Sequence, residues 1–164
     1  MEKLILIVGG NLGDRLALIQ NARMQLDKIF GISTTSSSIF ETEAWGGMST
    51  GNYLNQVLVF QTDQKPRQIL NAIWEIESSC GRERLEKWGD RTMDIDILYF
   101  GENIIQEPGL IIPHPHISKR KFVLEPLVEV IPDFIHPILG KNQVQLLEAC
   151  DDHSKVIKYQ KSPE

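Results

Sequence analysis

Cysteine is scarce in this chain of 164 residues, where it occurs only at Cys80 and Cys150. Neither residue belongs to a CxxC pair or to a cysteine and histidine set with metal-ligand spacing. The pattern gives neither a disulfide framework nor a zinc site, and it predicts reduced thiols in a cytoplasmic protein. No covalent staple is needed, because the length fits one domain over residues 1–164 that buries about 70% of the unfolded chain's surface.

Long apolar runs and an excess of positive charge are missing as well. The N-terminal apolar run at residues 4–8 ends in Gly-Gly-Asn and is too short for a signal peptide or a membrane span. The formal net charge of −5 argues against a general binder of nucleic acid or membrane surfaces. We therefore expect a soluble, cytoplasmic monomer that acts on small molecules.

Repeats, low-complexity tails and linkers are also absent, and the periodic segments predict alternating strands and helices. Apolar and β-branched runs predict strands at 3–8, 33–43, 53–62 and 92–100, with a further extended segment at 104–112. Helical spacing predicts a helix between Asp14 and Gly31, a second from Pro66 to about Ser79, and a third over 118–131. This order indicates an α+β, ferredoxin-like βαββαβ antiparallel sheet with helices packed on it and a C-terminal extension.

Two glycine-containing stretches interrupt these elements. The turn GGNLGD fits neither GxGxxG nor GxxxxGK[ST], so a tight turn is favoured over a phosphate-binding turn. The stretch WGGMSTGN is long for a hairpin loop, and long loops inside compact domains tend to be functional. We expect it and the charged stretch RERLEKWGD to be mobile without ligand and to close over bound substrates.

Two carboxylates stand two positions apart in the predicted strand 92–100, within WGDRTMDIDIL. Because strand side chains alternate between faces, Asp94 and Asp96 would share one face, with Cα atoms about 6.6 Å apart. Two anions at that distance repel each other unless positive charge lies between them. A strand with one solvated face would also explain the pair, so other residues must decide.

Positive charge is concentrated in two short stretches. Seven of the 17 basic residues lie there: Arg82, Arg84, Lys87 and Arg91 in one, and Lys119, Arg120 and Lys121 in the other. Each stretch alone is more typical of a solvated surface than of a site. Together with the two aspartates and with His114 in PHPH, they predict a nucleoside triphosphate held by Mg²⁺, which binds one or two carboxylates plus substrate phosphates. Two carboxylates on one face can share two such ions about 3.5–4 Å apart.

Six stretches occur in an order that is more specific than any one of them: GGNLGDR, TEAWGG, YLNQV, EIESSCGRER, KWGDRTMDIDIL and PHPHISKRKFVLEPLVEVIP. Over roughly residues 5–132 they resemble the 6-hydroxymethyl-7,8-dihydropterin pyrophosphokinase family. The most specific part is WGDRTMDIDIL with GRER before it. The resemblance implies an enzyme of folate biosynthesis that transfers the β,γ-diphosphate of ATP to the pterin hydroxymethyl group and releases AMP.

The resemblance also implies roles for individual residues. Asp94 and Asp96 are the expected ligands of two Mg²⁺ ions, and Arg82 and Arg91 are expected to act beside them in catalysis. The expected ATP contacts are Glu77, Arg82, Arg84, Arg91, Ile97, His114 and Arg120. The expected pterin contacts are Thr42, Ala44, Trp45, Tyr53, Asn55, Trp88, Asp94 and Phe122. Tyr53 and Phe122 would stack on the ring and Asn55 would bond its edge. Without the resemblance, Tyr53 and Phe122 would be interpreted as core aromatics.

Five positions depart from the family pattern. Gly10 and Ala44 stand where serine and proline are common, and Lys87, Asp90 and His116 stand where arginine, proline and arginine are common. Lysine cannot supply the bidentate fork of arginine, which bears on the phosphate contacts. Asp90 adds negative charge to the loop before Arg91.

Two other classes of protein share parts of this pattern. A two-metal nucleotidyltransferase would use the same aspartates, but it would release diphosphate and leave AMP on its acceptor. A non-catalytic ferredoxin-like binding domain is the second alternative. Its RNA-binding form needs aromatic residues where strand 92–100 has MDIDILYFG, and its metabolite-sensing form has no use for the paired aspartates and four arginines.

Overall fold

The structure is a computed structural model, and it describes residues 1–43, 52–81 and 93–160. The strands in these ranges are Glu2–Gly10 (β1), Thr35–Ser36 (β2), Phe40–Thr42 (β3), Tyr53–Thr62 (β4), Asp94–Phe100 (β5), Ile105–Glu107 (β6), Leu110–Ile112 (β7) and Val156–Lys158 (β8). The α-helices are Arg15–Phe30 (α1), Pro66–Ser79 (α2), Lys121–Val130 (α3) and Gln143–Glu148 (α4), and a 3₁₀ turn spans Ile117–Lys119.

One antiparallel sheet organises the fold. Its strand order is β5-β1-β4-β3-β8, with β2 also paired to β4, and β6 and β7 form a separate hairpin. The longest pairing joins β1 and β4, from Glu2 opposite Thr62 to Gly10 opposite Leu54. The expected α+β architecture, an antiparallel sheet with helices packed on it, is confirmed.

Both faces of the sheet are buried, and β1 shows why its sequence is almost continuously apolar. Leu4 and Leu6 of β1 pack in one core cluster with residues of α1 and α2. Ile5 and Ile7 point to the opposite face and pack with residues of α3 and α4. A strand that is covered on both faces carries an apolar run instead of an alternating pattern.

The first two helices begin and end close to their predicted positions. The Asp14 side chain accepts a hydrogen bond from the Ala17 N–H at 3.2 Å and so caps α1. Gly31 follows this helix with φ of 88°, a conformation that favours glycine. Pro66 is the first residue of α2, where its missing N–H is not needed.

Three predicted segments differ from the observed elements. The predicted strand 33–43 is two short strands, β2 and β3. The extended segment 104–112 is the β6–β7 hairpin, because Gly109 takes φ of 76° and reverses the chain. The predicted helix 118–131 is a 3₁₀ turn followed by α3, since Arg120 between them is extended, with φ of −127° and ψ of 106°.

The C-terminal extension folds back onto the sheet. Asn142 caps α4, and Leu146 of this helix lies in the second core cluster. The last strand, β8, pairs with β3, with Val156 opposite Thr42. Among the described helices, none is long and apolar enough to cross a membrane.

Candidate active site

The two aspartates of β5 lie on one face of the sheet, as the strand periodicity predicts. Ile95 and Ile97 point to the other face and pack in the core cluster beneath α1 and α2. Asp94 is opposite Gly9 of β1, and Asp96 is opposite Ile7. Both aspartates line a pocket, and both are half-buried on this face of the sheet.

Gly9 allows a row of side chains to lie close together across three strands. It pairs with Asn55 on β4 and with Asp94 on β5. A Cβ atom at this position would overlap the Asn55 side-chain oxygen and the Leu54 carbonyl oxygen. The absence of a side chain therefore lets the Asn55 amide lie against β1 beside Asp94.

A first pocket brings together eight of the predicted site residues: Thr42, Tyr53, Asn55, Asp94, Asp96, His114, Arg120 and Phe122. Ile7, Gly9, Glu43, Leu98 and Val123 complete its lining. Thr42 and Tyr53 are paired across β3 and β4, and Phe122 comes from α3. With Asp94 on β5, four separate parts of the chain thus supply the residues that the sequence predicted to contact a pterin.

Two buried polar atoms of this pocket have no hydrogen-bond partner among the described residues. They are Thr42 Oγ1 and Asn55 Nδ2, in side chains that are 2% and 7% exposed. Buried polar groups are nearly always hydrogen-bonded, and leaving one unpaired costs about 1–3 kcal/mol. A flat ligand with donors and acceptors on its edge would satisfy both atoms.

His114 is held as a neutral hydrogen-bond donor. Its Nδ1 accepts a bond from the His116 backbone N–H at 3.1 Å, which leaves the proton of the neutral ring on Nε2. Burial, helped by the nearby charges of Arg120 and His116, lowers the pKa of His114 to about 4. The His114 N–H donates to the Leu98 carbonyl at 3.0 Å and ties this segment to β5.

Arg120 lies within the electrostatic field of both aspartates. Burial lowers the pKa of Arg120, while the negative charges of Asp96 and Asp94 act in the opposite direction. Its Cζ atom lies 5.8 Å from the centre of the Phe122 ring. A guanidinium that is partly removed from water and adjacent to carboxylates suits the binding of phosphate oxygens.

A second pocket adjoins the first along β5. Asp94, Asp96 and His114 line both pockets, and the predicted residues Glu77 and Ile97 line the second. Its apolar lining includes Leu70, Trp74, Leu110 and Ile111. Sequence reasoning missed these four residues. The available signal was the position of Trp74 on α2, one helical turn before Glu77. In the structure its side chain is 41% exposed, which is unusual for so large a ring.

Glu77 lies beneath the aspartates and bonds the strand that carries them. The side chain is 4% exposed, and its Oε2 accepts a hydrogen bond from the Ile95 N–H at 2.9 Å. Because β5 is at the edge of the sheet, this bond satisfies a backbone donor midway between Asp94 and Asp96.

Comparison with known proteins identifies the family. The model of 7,8-dihydro-6-hydroxymethylpterin-pyrophosphokinase (HPPK) matches residues 5–132, the range over which the motifs predicted the resemblance. The chain belongs to this family. The 2-amino-4-hydroxy-6-hydroxymethyldihydropteridine pyrophosphokinase of Aquifex aeolicus is 39% identical over 141 residues, which cover 86% of this chain and 88% of the relative. The protein of the same name from Synechocystis is 36% identical, over 88% of this chain and 74% of the relative.

Longer HPPK relatives carry additional segments. The bifunctional protein FolKE of Lactococcus lactis is 34% identical over 99% of this chain, which spans 47% of its length. The crystal structure of Plasmodium falciparum HPPK-DHPS aligns with 90% of this chain at a TM-score of 0.68 and 15% identity, and this chain spans 44% of it. At that identity the structural match supports the fold alone.

The two carboxylates of this HPPK family member suit Mg²⁺ better than they suit a metal ion that takes all its ligands from the protein. The described residues contain no group of three or more His, Cys, Asp or Glu side chains that could hold a metal ion. Two carboxylates on one face, each lining both pockets, suit an ion that takes its other ligands from phosphates and water. Both cysteines are free thiols, as predicted.

Several predicted HPPK site residues lie outside the described ranges. They are Ala44, Trp45, Arg82, Arg84, Trp88 and Arg91, together with the variant positions Lys87 and Asp90. The two stretches that were expected to close over substrates lie there too, apart from Asn52. The roles of these residues stay predictions.

Proposed function

We propose that this chain transfers the β,γ-diphosphate of ATP to the hydroxymethyl group of 6-hydroxymethyl-7,8-dihydropterin and releases AMP, a reaction of folate biosynthesis. One observation carries the proposal. Asp94 and Asp96 lie where two pockets meet, so one metal-binding pair can serve a substrate on each side. A transfer between two bound molecules requires that both are held close together in a fixed orientation, and adjoining pockets provide this.

The first pocket is the proposed pterin site. Tyr53 and Phe122 line it with rings that can stack on a flat heterocycle. The unpaired atoms Thr42 Oγ1 and Asn55 Nδ2 can bond the polar edge of the ring. These two unpaired atoms would make the pocket selective. A ligand without matching polar groups would leave both of them without a hydrogen bond and would bind more weakly.

The second pocket is the proposed ATP site. Leu70, Trp74, Leu110 and Ile111 provide an apolar wall that suits the adenine ring. His114 lines this pocket beside the aspartates. Arg120 lines the first pocket and lies in the field of the same carboxylates, toward which the phosphates would extend. The neutral Nε2–H of His114 would donate one hydrogen bond to a phosphate oxygen, and Arg120 would neutralise charge.

In this arrangement Asp94 and Asp96 would hold Mg²⁺, and Asp94 would also face the pterin. Bound Mg²⁺ supplies charge neutralisation for the phosphates and a template for in-line attack. The residues of this chain would align the pterin hydroxymethyl oxygen with the β-phosphorus and exclude water. Positioning and electrostatic stabilisation account for most of the rate in phosphoryl transfers of this kind.

We also infer that residues 1–164 form one domain around a ferredoxin-like βαββαβ unit. The support is the strand order β5-β1-β4-β3, in which β4 lies between β1 and β3 and so splits the first βαβ unit. The C-terminal extension would be an addition to that unit.

The proposal is tested by incubating the protein with ATP, Mg²⁺ and the reduced pterin alcohol and identifying the nucleotide product. AMP should appear in step with pterin diphosphate. ADP as the main product would overturn the proposal, and diphosphate with AMP attached to the acceptor would favour a nucleotidyltransferase.

Two variants check that the product depends on the proposed metal ligands. Asp94→Asn and Asp96→Asn should each lower turnover by more than about a hundredfold, since even outer-shell partners of a metal ligand cost 10–100-fold. Without ligand their melting temperatures should hold or rise, because each removes one of two neighbouring negative charges. Asp133→Asn, at an exposed position, is the matched control.

A further inference from the structure

The C-terminal extension reaches the proposed site at the N-terminus of α3. The family match ends at residue 132, and the extension lies beyond it. Asp152 lies in the stretch between α4 and β8, and one of its oxygens, Oδ2, accepts a hydrogen bond from the Lys121 backbone N–H at 3.0 Å. Lys121 is the first residue of α3. A residue outside the matched region therefore contacts the helix that carries Phe122.

The start of α3 requires a cap from elsewhere in the chain. The first N–H groups of a helix have no partner within the helix, and a side-chain acceptor at the preceding residue usually satisfies one of them. Here that residue is Arg120, whose side chain has donors only. The Asp152 carboxylate supplies the missing acceptor, and its negative charge also suits the positive end of the helix dipole.

Asp152 is itself fixed in place. Its Oδ1 accepts bonds from the Ser154 hydroxyl at 2.6 Å and from the Ser154 N–H at 2.9 Å. Burial alone would raise the pKa of Asp152, but the bonds from Ser154 and Lys121 and the positive charge of Lys121 leave this pKa below its ordinary value. The carboxylate is therefore ionised at neutral pH and can serve as a rigid acceptor.

The capped residue lies between two residues of the proposed site. Arg120 precedes Lys121 and lies in the field of Asp94 and Asp96, while Phe122 follows it and lines the pterin pocket. A movement of the first turn of α3 would displace both side chains together. Small displacements of positioning groups reduce the rate of transfer between two bound substrates strongly.

We propose that Asp152 is a positioning residue for the reaction, acting through the Lys121 N–H to fix Arg120 and Phe122. The inference rests on the proposed function of the two pockets. It assigns the C-terminal extension a part in the site, beyond covering one face of the sheet.

The test compares Asp152→Ala with Asn142→Ala in the full chain. Each variant removes the side-chain acceptor that caps one helix. In α4 that acceptor is Asn142, whose side-chain oxygen accepts a hydrogen bond from the Gln145 N–H at 2.9 Å. Unlike α3, α4 contributes no residue to either pocket. Both should lower the melting temperature. Only Asp152→Ala should lower kcat/KM for ATP and for the pterin, by roughly fivefold, the factor to which a typical lost cap corresponds.

Two further variants separate the cap from the local turn. Asp152→Asn keeps one acceptor oxygen and should stay within about threefold of the unmodified protein. Ser154→Ala removes the hydroxyl donor but leaves the bond to Lys121, so its kinetics should be close to normal. Equal losses in Ser154→Ala and Asp152→Ala would overturn the proposal, as would normal kcat/KM in Asp152→Ala.

Hydrogen exchange separates this proposal from the proposed function. The Lys121 amide should exchange faster in Asp152→Ala than in Asn142→Ala, whether or not the protein forms AMP. If exchange at Lys121 is unchanged, the capping role is wrong. If exchange changes but the unmodified protein forms no pterin diphosphate, the proposed function is wrong and the cap remains.

Discussion

At the scale of single residues, the paired histidines of the PHPH segment show how backbone contacts determine chemistry. His116 donates its N–H to Nδ1 of His114, and this bond determines which ring nitrogen carries the proton. His114 is therefore suited to donate a hydrogen bond and not to act as a base at neutral pH, with its pKa lowered to about 4 by burial and by the neighbouring positive charges.

This arrangement predicts different outcomes for two substitutions of His114. His114→Gln keeps a donor at the distance of Nε2 and should retain activity within about tenfold of the unmodified protein. His114→Ala removes the donor and should raise the KM for ATP by about 10–100-fold, the range for a lost hydrogen bond to a charged group. Steady-state kinetics at pH 7.5 (about 1 unit above the ordinary histidine pKa) would check this.

The exposed residue His153 provides a control, since His153→Gln should leave the kinetics unchanged. If the Gln and Ala variants of His114 lose activity equally, the donor role is wrong and the residue serves packing.

At the scale of elements, Arg15 joins three parts of the chain behind the proposed pterin pocket. Its Nη1 donates to Glu41 Oε2 at 2.8 Å and to the Asn52 carbonyl at 3.0 Å. These acceptors immediately precede Thr42 and Tyr53, which are paired across β3 and β4. The guanidinium also lies 5.9 Å from the ring centre of Tyr159, beyond β8.

We expect Arg15→Lys to weaken pterin binding by about two- to fivefold and to leave ATP binding unchanged. The lysine side chain is shorter and has no planar guanidinium to lie over the Tyr159 ring, so it cannot keep both hydrogen bonds together with the ring contact. The effect should be small, because the residue is partly exposed and such ion pairs contribute about 1 kcal/mol or less. Titration calorimetry with each substrate, and Arg23→Lys on the same helix as control, would measure it. Equal losses for both substrates would contradict the expected local effect.

The elements also show which features can be predicted from a sequence. The shared face of Asp94 and Asp96 follows from the period of a strand, and the bounds of α1 and α2 follow from Asp14, Gly31 and Pro66, because these signals are local. The β6–β7 hairpin was missed, since one glycine conformation at Gly109 decides between an extended segment and a reversal.

Long-range contacts account for the remaining misses. The bond from the Ile95 N–H to Glu77 joins residues 18 positions apart, and β8 pairs with β3 more than a hundred positions earlier. The sequence pattern could not distinguish the apolar lining of the second pocket from core residues, because Leu70 is itself buried on α2 together with Ile69 and Ile73.

At the scale of the whole molecule, the second face of the sheet depends on residues beyond the family match. The Tyr99 hydroxyl, fully buried on β5, donates to Gln143 Oε1 of α4 at 3.1 Å. Gln143 also donates to the Phe134 carbonyl at 2.9 Å. Burial, which outweighs the opposing effect of the Gln143 bond, raises the pKa of Tyr99 to about 12, so this hydroxyl stays protonated across the ordinary pH range. These bonds connect the extension to the strand that carries the aspartates.

His136 makes this connection sensitive to acid. It is 5% exposed, its ring lies edge-on to Tyr99, and its Nδ1 accepts bonds from the N–H groups of Ile138 and Leu139, both at 3.1 Å. Burial lowers the pKa of His136 below its ordinary value of 6.5, against a smaller opposing effect of its own backbone. Protonation would place a proton on the atom that accepts both bonds.

The sign of the pH dependence follows from that lowered pKa. Well above pH 6.5 the histidine is neutral in both the folded and unfolded states, so it adds no pH dependence. Below that value the unfolded chain binds a proton that the folded protein resists, and stability falls until the folded pKa is reached.

His136→Asn keeps an acceptor near the Nδ1 position but does not titrate. The difference in unfolding free energy between the unmodified protein and His136→Asn, from urea titrations, should therefore be constant above pH 7 and shift against the unmodified protein between about pH 6.5 and 5. Comparison of the two proteins cancels the contribution of His114, which titrates in the same direction. A difference that stays constant across that range would show that His136 keeps an ordinary pKa and that the extension is not held by its neutral ring.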